Sequence, residues 1–171
     1  MKKTIMSLIL LTSLILFGCT AEKDFTMKFD KTYNLDYALT EFAAPSLQIN
    51  AGNNENFNKY KDDIKSVELQ KVTYTITNFV GSATQTLDTA VVIVDSINTL
   101  SRIGHITLAN VAAVEQVLPY DQTIADQLAA KMLNSPHTAE VRFHGRVNQA
   151  PVKFTIKFTF EFKVTYKKKI L

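Results

Sequence analysis

The sequence predicts a mainly β protein: an antiparallel β-sandwich, with an Ig-like arrangement as one form of it, and one inserted α-helix near 121–134. Three observations carry this. From Val152 to Tyr166 every even position is apolar, while the odd positions from Lys153 to Lys167 are Lys, Thr or Glu. Alternate side chains of a strand point to opposite faces, so this stretch has one buried and one wet face. At least five further β-type runs precede it, separated by turn residues, without the strand–helix alternation that builds a parallel sheet. Finally, 171 residues that are 46% hydrophobic, with five Gly and four Pro, suffice for one domain with a real core.

The N-terminus stands apart. Met1-Lys2-Lys3 is charged and Ile5 to Phe17 is apolar. As a helix the apolar run would reach about 20 Å, short of a hydrocarbon core of roughly 30 Å, which makes it a signal peptide and not a membrane span. Cys19, the single cysteine, closes the segment, so no disulfide can form within the chain. Leu16-Phe17-Gly18-Cys19 resembles the lipobox of bacterial lipoproteins, although Phe17 is bulkier than the family's usual small residue. The resemblance implies cleavage before Cys19 and acylation of its thiol and amine. Several acyl chains, each CH₂ contributing about 0.8 kcal/mol, would then anchor the chain to a membrane. It further implies residues 1–18 as signal peptide, 19–24 as acylated cysteine and polar tether, and 25–171 as a single sandwich domain. Thr20 replaces the Asp that resembles an inner-membrane retention signal, which points to the outer membrane, on its periplasmic or surface face. Cys-Thr-Ala-Glu-Lys-Asp (19–24) is similar to the charged tract of surface-exported Bacteroidota lipoproteins.

From Phe25 to Leu39 apolar residues again alternate, interrupted by Lys31, giving one long or two short strands. Pro45 to Asn56 is rich in turn residues and reads as a loop. Phe57, Tyr60 and Ile64 have helical spacing, with Asn54 or Asn56 as the cap. Val67 to Phe79 is a strand whose alternation slips by one residue, which predicts a β-bulge near Gln70-Lys71. Thr84 to Ile97 is apolar on both parities at its middle and reads as a central strand. A shorter strand follows around Arg102 to Leu108. Asn110 could cap a turn of helix carrying Val111 and Val114, ended by Pro119. Asp121 to Asn134 has the clearest helical pattern, with Asp121 as N-cap and Ile124, Leu128 and Met132 stacked. Ser135-Pro136 ends it.

The last two strands, Thr138 to Asn148 and Pro151 to Lys167, read as a hairpin with Val147 opposite Val152, Gly145 opposite Phe154 and Phe143 opposite Ile156. That register sets Arg146 against Lys153 and Arg142 against Lys157 on the outer face, with His144 between them. Residues 142–171 carry eight basic side chains and one acid, whereas 19–141 carry nine basic and fifteen acidic ones. The basic character therefore belongs to the C-terminal part, and Arg142, His144, Arg146, Lys153 and Lys157 form the candidate binding face. Its partner would be an anionic envelope lipid, a glycan or a protein. Nucleic acid is not expected, because no binding motif accompanies the charges. Lys167-Lys168-Lys169 reads as a solubilising tail or as a contact with anionic lipid.

Signatures of catalysis are absent: no Gly-x-Ser-x-Gly, no His-Glu-x-x-His, no Gly-rich phosphate loop, and His105, His137 and His144 lack ligand spacing. No catalytic residue, metal or cofactor is expected. The segment Ser-Val-Glu-Leu-Gln-Lys-Val-Thr-Tyr-Thr-Ile-Thr-Asn (66–78) and the closing Thr/Lys/Phe stretch are similar to small Bacteroidota lipoproteins of unassigned function. The expected function is a lipid-anchored binding or assembly module of the cell envelope, without catalytic activity. The alternative is a carrier that holds a lipid or other apolar molecule behind Phe154, Phe158, Phe160 and Phe162. At about 3.3 Å per residue the closing strand is longer than the roughly 38 Å breadth of such a domain, so it must bend between sheets or project at its Lys-rich end.

Overall fold

The closing strand decides the architecture. The computed structural model describes residues 20–95 and 98–169. The expected signal peptide and the lipidation site Cys19 lie outside the described residues, as do Ser96-Ile97 and the last two residues. Ten strands follow in chain order: β1 (Thr20–Tyr37), β2 (Glu41–Ala43), β3 (Leu47–Asn50), β4 (Ile64–Val80), β5 (Thr86–Val94), β6 (Asn98–Ile103), β7 (Ile106–Thr107), β8 (Gln116–Val117), β9 (Thr138–Val147) and β10 (Val152–Lys169). Two helices interrupt them, α1 (Glu55–Tyr60) and α2 (Gln122–Leu133).

The strands form two sheets packed face to face. One has the order β1-β10-β4-β8, the other β2-β9-β5-β6, with β3 also on β9 and β7 on β5. All the strand pairs are antiparallel. In the first sheet no strand lies beside its sequence neighbour, which is the interlocked Greek-key connectivity of a jelly roll. An Ig arrangement would put consecutive strands side by side in both sheets.

This connectivity overturns the expected hairpin. β9 and β10 belong to opposite sheets, and residues 148–151 cross between them. Buried Gln85 donates from Nε2 to the Pro151 carbonyl at 3.1 Å. Asn148 donates to the Thr84 carbonyl and accepts from the Thr86 amide, at 3.1 and 2.8 Å. Phe143 and Phe158 meet across the core with centroids 5.1 Å apart. Alternation shows only that each strand has an apolar face. Two such faces can be buried side by side in one sheet or face to face between two sheets, and a short connection permits either.

β10 lies between β1 and β4 from Lys153 to Tyr166, and Lys167 to Lys169 pair with β1 alone. It pairs with β1 without a slip from Tyr37–Val152 to Thr20–Lys169, so it does not change sheet, and its Lys-rich end runs past β4 as a two-stranded ribbon with β1. Lys31 stands opposite Phe158 and does not break β1. Thr20 to Asp24, expected as a tether, are the first residues of that strand. On its other side β10 meets β4, whose register shifts three times. One shift leaves Gln70 as an extra residue between Lys71 (opposite Glu161) and Leu69 (opposite Phe162), the bulge expected there. Such bulges let β4 follow the twist of an 18-residue partner.

The second sheet is shorter, and helices continue the cover. α2 packs on β4 and buries Ala125, Leu128, Ala129 and Met132. Its N-cap is Asp121, which accepts from the Ile124 amide at 3.0 Å, as the sequence predicts. Asn54 likewise caps α1 by accepting from the Phe57 amide at 3.0 Å. The expected loop over 45–56 contains β3, and the expected helical turn after Asn110 is a turn leading into β8 on Thr73 and Tyr74. Both strands are too short to show a period; the neighbouring strand makes them.

The rings of Phe154, Phe158, Phe160 and Phe162 are core. Phe158 touches Tyr33, Tyr74, Phe143 and Phe160. Phe158→Ala is expected to destabilise the fold by about 3–5 kcal/mol in chemical denaturation, the cost typical of emptying a packed aromatic site.

Candidate functional site

The crossing between β9 and β10 separates the five residues expected on one basic face. Arg142, His144 and Arg146 alternate along β9 on the outer side of the second sheet, whereas Lys153 and Lys157 lie on the outer side of the first. They are therefore on opposite sides of the molecule.

Lys153 and Lys157 are already engaged. β1 supplies acids along the row beside them: Lys153 Nζ lies 2.8 Å from Asp36 Oδ2, and Lys157 Nζ 2.8 Å from Asp30 Oδ2. Lys163–Asp24 at 3.2 Å and Lys28–Glu161 at 2.8 Å continue the ladder, and Lys65 pairs with Glu22. Thr159 and Thr165 donate to Asp30 and Asp24 at 2.6 and 2.8 Å. The lysine of Lys157, with Thr159, holds the Asp30 carboxyl below the ordinary carboxylate range. Thr165 and Lys163 do the same for Asp24, and Lys65 for Glu22. This face neutralises itself.

The other face does not. Register places Ala43, His144, Val91 and Arg102 in one row across β2, β9, β5 and β6, and Glu41, Arg146 and Thr89 in the next. With strands about 4.8 Å apart, the Arg102 and His144 backbones are about 10 Å apart. Together they border an open groove of about 840 Å³, rimmed by Tyr37 and Leu39. Leu39 is 72% exposed. Beneath it the Phe42 ring packs over Gly145, where a Cβ would come within 2.4 Å of Cζ of that ring. That contact is what brings β2 flat against β9.

Among the described residues no carboxylate oxygen lies within 4 Å of a charged nitrogen of Arg102 or Arg146. Arg142 differs: its Nη2 lies 3.6 Å from Glu140 Oε2. The groove thus joins His144 and Arg146 from the expected face with Arg102, which sequence reading passed over. No periodic signal marks Arg102, because only the pairing of β6 with β5 brings it beside β9. Two arginines and a histidine, set against the single acid Glu41 over an apolar floor, suit an anionic group carried on a less polar body.

The three histidines are dispersed. His105 Nδ1 is 3.3 Å from Asp88 Oδ1, His137 packs edge-on to Phe57, and His144 lies in the groove. Among the described residues no group of three or more His, Cys, Asp or Glu is placed to hold a metal, and no helix is long and apolar enough to cross a membrane.

No protein-family model matches the chain, and no curated protein matches it. Among solved structures it is similar to one of Desmodium yellow mottle tymovirus, at 8% identity and TM-score 0.34, covering 87% of this chain and 91% of that one. The decameric BFDV capsid protein gives 8% and 0.39, with 85% and 99% covered. A nora virus structure gives 8% and 0.37, with 88% and 62% covered. Likeness at this level carries no argument; the strand pairing alone defines the fold.

The ladder on the first sheet predicts acid sensitivity. Carboxyls whose folded values are depressed stabilise the fold fully above their ordinary values, 3.8 for Asp24 and Asp30 and 4.5 for Glu22. That contribution is lost as pH falls through the lowered values. The thermal midpoint should therefore fall on acidification from about pH 5 to pH 3, and less steeply in Asp30→Asn, as followed by circular dichroism.

Proposed function

We propose that the protein is a lipid-anchored, non-catalytic binding module of the cell envelope, most consistent with the outer membrane, and that the groove bordered by Arg102, His144 and Arg146 is its contact surface. The anchor part rests on the lipobox-like Leu16-Phe17-Gly18-Cys19. The single observation that carries the binding part is the asymmetry of the two outer faces. Lysines on the first sheet are ion-paired with acids of β1, while Arg102 and Arg146 border an open groove whose one acid, Glu41 opposite Arg146, forms no ion pair with either among the described residues.

Placement narrows the partner. β1 starts beside Cys19 and ends at Tyr37, on the rim of the groove. Its 18 residues span about 55 Å, so the groove lies at the far end of β1 from an anchor at Cys19. On a domain standing upright from that anchor the groove faces away from the lipid headgroups, and an acidic glycan of the envelope is the partner whose chemistry and position fit best. The carrier alternative has less support, because the phenylalanines that would wall a cavity pack against one another.

Two measurements test this. Labelled palmitate should enter the full chain in a bacterial host and be lost in Cys19→Ser; labelling that survives this substitution contradicts the anchor. Binding to an immobilised acidic polysaccharide, read by surface plasmon resonance, should weaken at least about tenfold in Arg102→Glu/Arg146→Glu. It should change little in Lys153→Glu/Lys157→Glu on the opposite face. Equal losses in both variants, or no binding by the parent protein, would contradict the groove assignment.

A further inference from the structure

The end of the sandwich next to Cys19 carries a second patch with a different character. β1 begins at Thr20, and consecutive Cα atoms are about 3.8 Å apart, so Cys19 has no linker between it and the sheet. The antiparallel ladder brings the end of β10 to the same place: Ala21 stands opposite Lys168, Glu22 opposite Lys167, and Lys23 opposite Tyr166. α1 and the short 3₁₀ turn Lys61–Asp63 lie against this end, because Ile64 pairs with Tyr166.

Aromatic rings close the end of the core there. Tyr60 stacks on Tyr166 with centroids 4.1 Å apart, and Phe25 packs against both. Around them Lys23, Lys59, Lys61, Lys167 and Lys168 are exposed, and Lys59 Nζ lies 5.1 Å from the Tyr60 ring centre. The acids at this end are Glu22, Asp24, Glu55, Asp62 and Asp63. Glu22 is taken by Lys65, and Asp24 by Lys163 and Thr165. Five lysines then face three remaining acids, a local cationic excess beside tyrosines.

We infer that this end is a membrane-docking surface, on which the domain sits directly against a bilayer rich in anionic lipid. The inference rests on the lipid-anchor reading above and extends it from attachment to orientation. Three features agree. The anchor residue adjoins the sheet with no slack, lysines there would meet lipid phosphates, and amphipathic tyrosines suit the headgroup layer. A docked domain stands with β1 and β10 upright and presents the Arg102 groove outward.

The test uses the full chain on vesicles with amide hydrogen exchange as the readout. Incorporation of labelled palmitate reports on the anchor alone. Where acylation fails, the protein is coupled through the Cys19 thiol to a maleimide lipid, so docking is still measured. On phosphatidylglycerol vesicles, exchange in 55–61 and 165–168 should slow at least about threefold relative to phosphatidylcholine vesicles, while 37–43 is unchanged. Lys59→Glu/Lys167→Glu/Lys168→Glu should remove the difference yet stay vesicle-bound. Equal exchange on the two lipids, or an unchanged difference in the triple variant, overturns the inference.

Discussion

The constraint on which the rest depends is the uninterrupted pairing of β1 with β10. Eighteen residue pairs, from Tyr37–Val152 to Thr20–Lys169, keep one register, so every inner residue of one strand stands beside an inner residue of the other. On the inside this aligns Met27 with Phe162, Tyr33 with Ile156 and Leu35 with Phe154, all buried. On the outside the same register brings Asp24, Asp30 and Asp36 within reach of Lys163, Lys157 and Lys153. A slip of one residue would turn both patterns over at once, which is why two patterned strands of this length specify each other so strongly. The pairing joins segments more than a hundred residues apart, and such non-local closure favours slow folding.

That long sheet also dictates what must cover it. The second sheet is built on β9 and β5, ten and nine residues long, and cannot shield eighteen-residue strands. α2 on β4, and Tyr60 of α1 stacked on Tyr166, protect the remaining apolar positions. Within the covered half, Tyr33 ties the layers together by donating its hydroxyl to the Val141 carbonyl at 2.7 Å, and burial raises its pKa. The molecule is thus divided along its length into a sandwich half that bears the groove and a helix-capped half that adjoins Cys19.

Local features were legible in the sequence where one element announces itself. The alternation of β10, the Asp121 cap of α2, the Asn54 cap of α1 and the bulge at Gln70 each depend on a few neighbouring residues. Partner choice was not legible. Arg142 and Lys157 have the same pattern whether their strands lie side by side or across the core, so the expected basic face contained residues from both sides of the molecule. What decides between them is non-local: the Asn148 and Gln85 hydrogen bonds that steer 148–151 across, and the acids of β1 that complete the first sheet. Arg102 was missed for the same reason, since its place in the groove comes from the β5–β6 pairing.

The pairing of β10 is therefore the claim to test most directly, and cross-strand nuclear Overhauser effects do so without mutation. Backbone contacts should link Phe29 with Phe160 and Asn34 with Thr155 on one side, and Val72 with Phe160 on the other. Gly145 should show contacts to Ala90 and Phe42. Backbone contacts joining Val147 with Val152 and Phe143 with Ile156 would instead make the last two strands a hairpin, and would contradict the account.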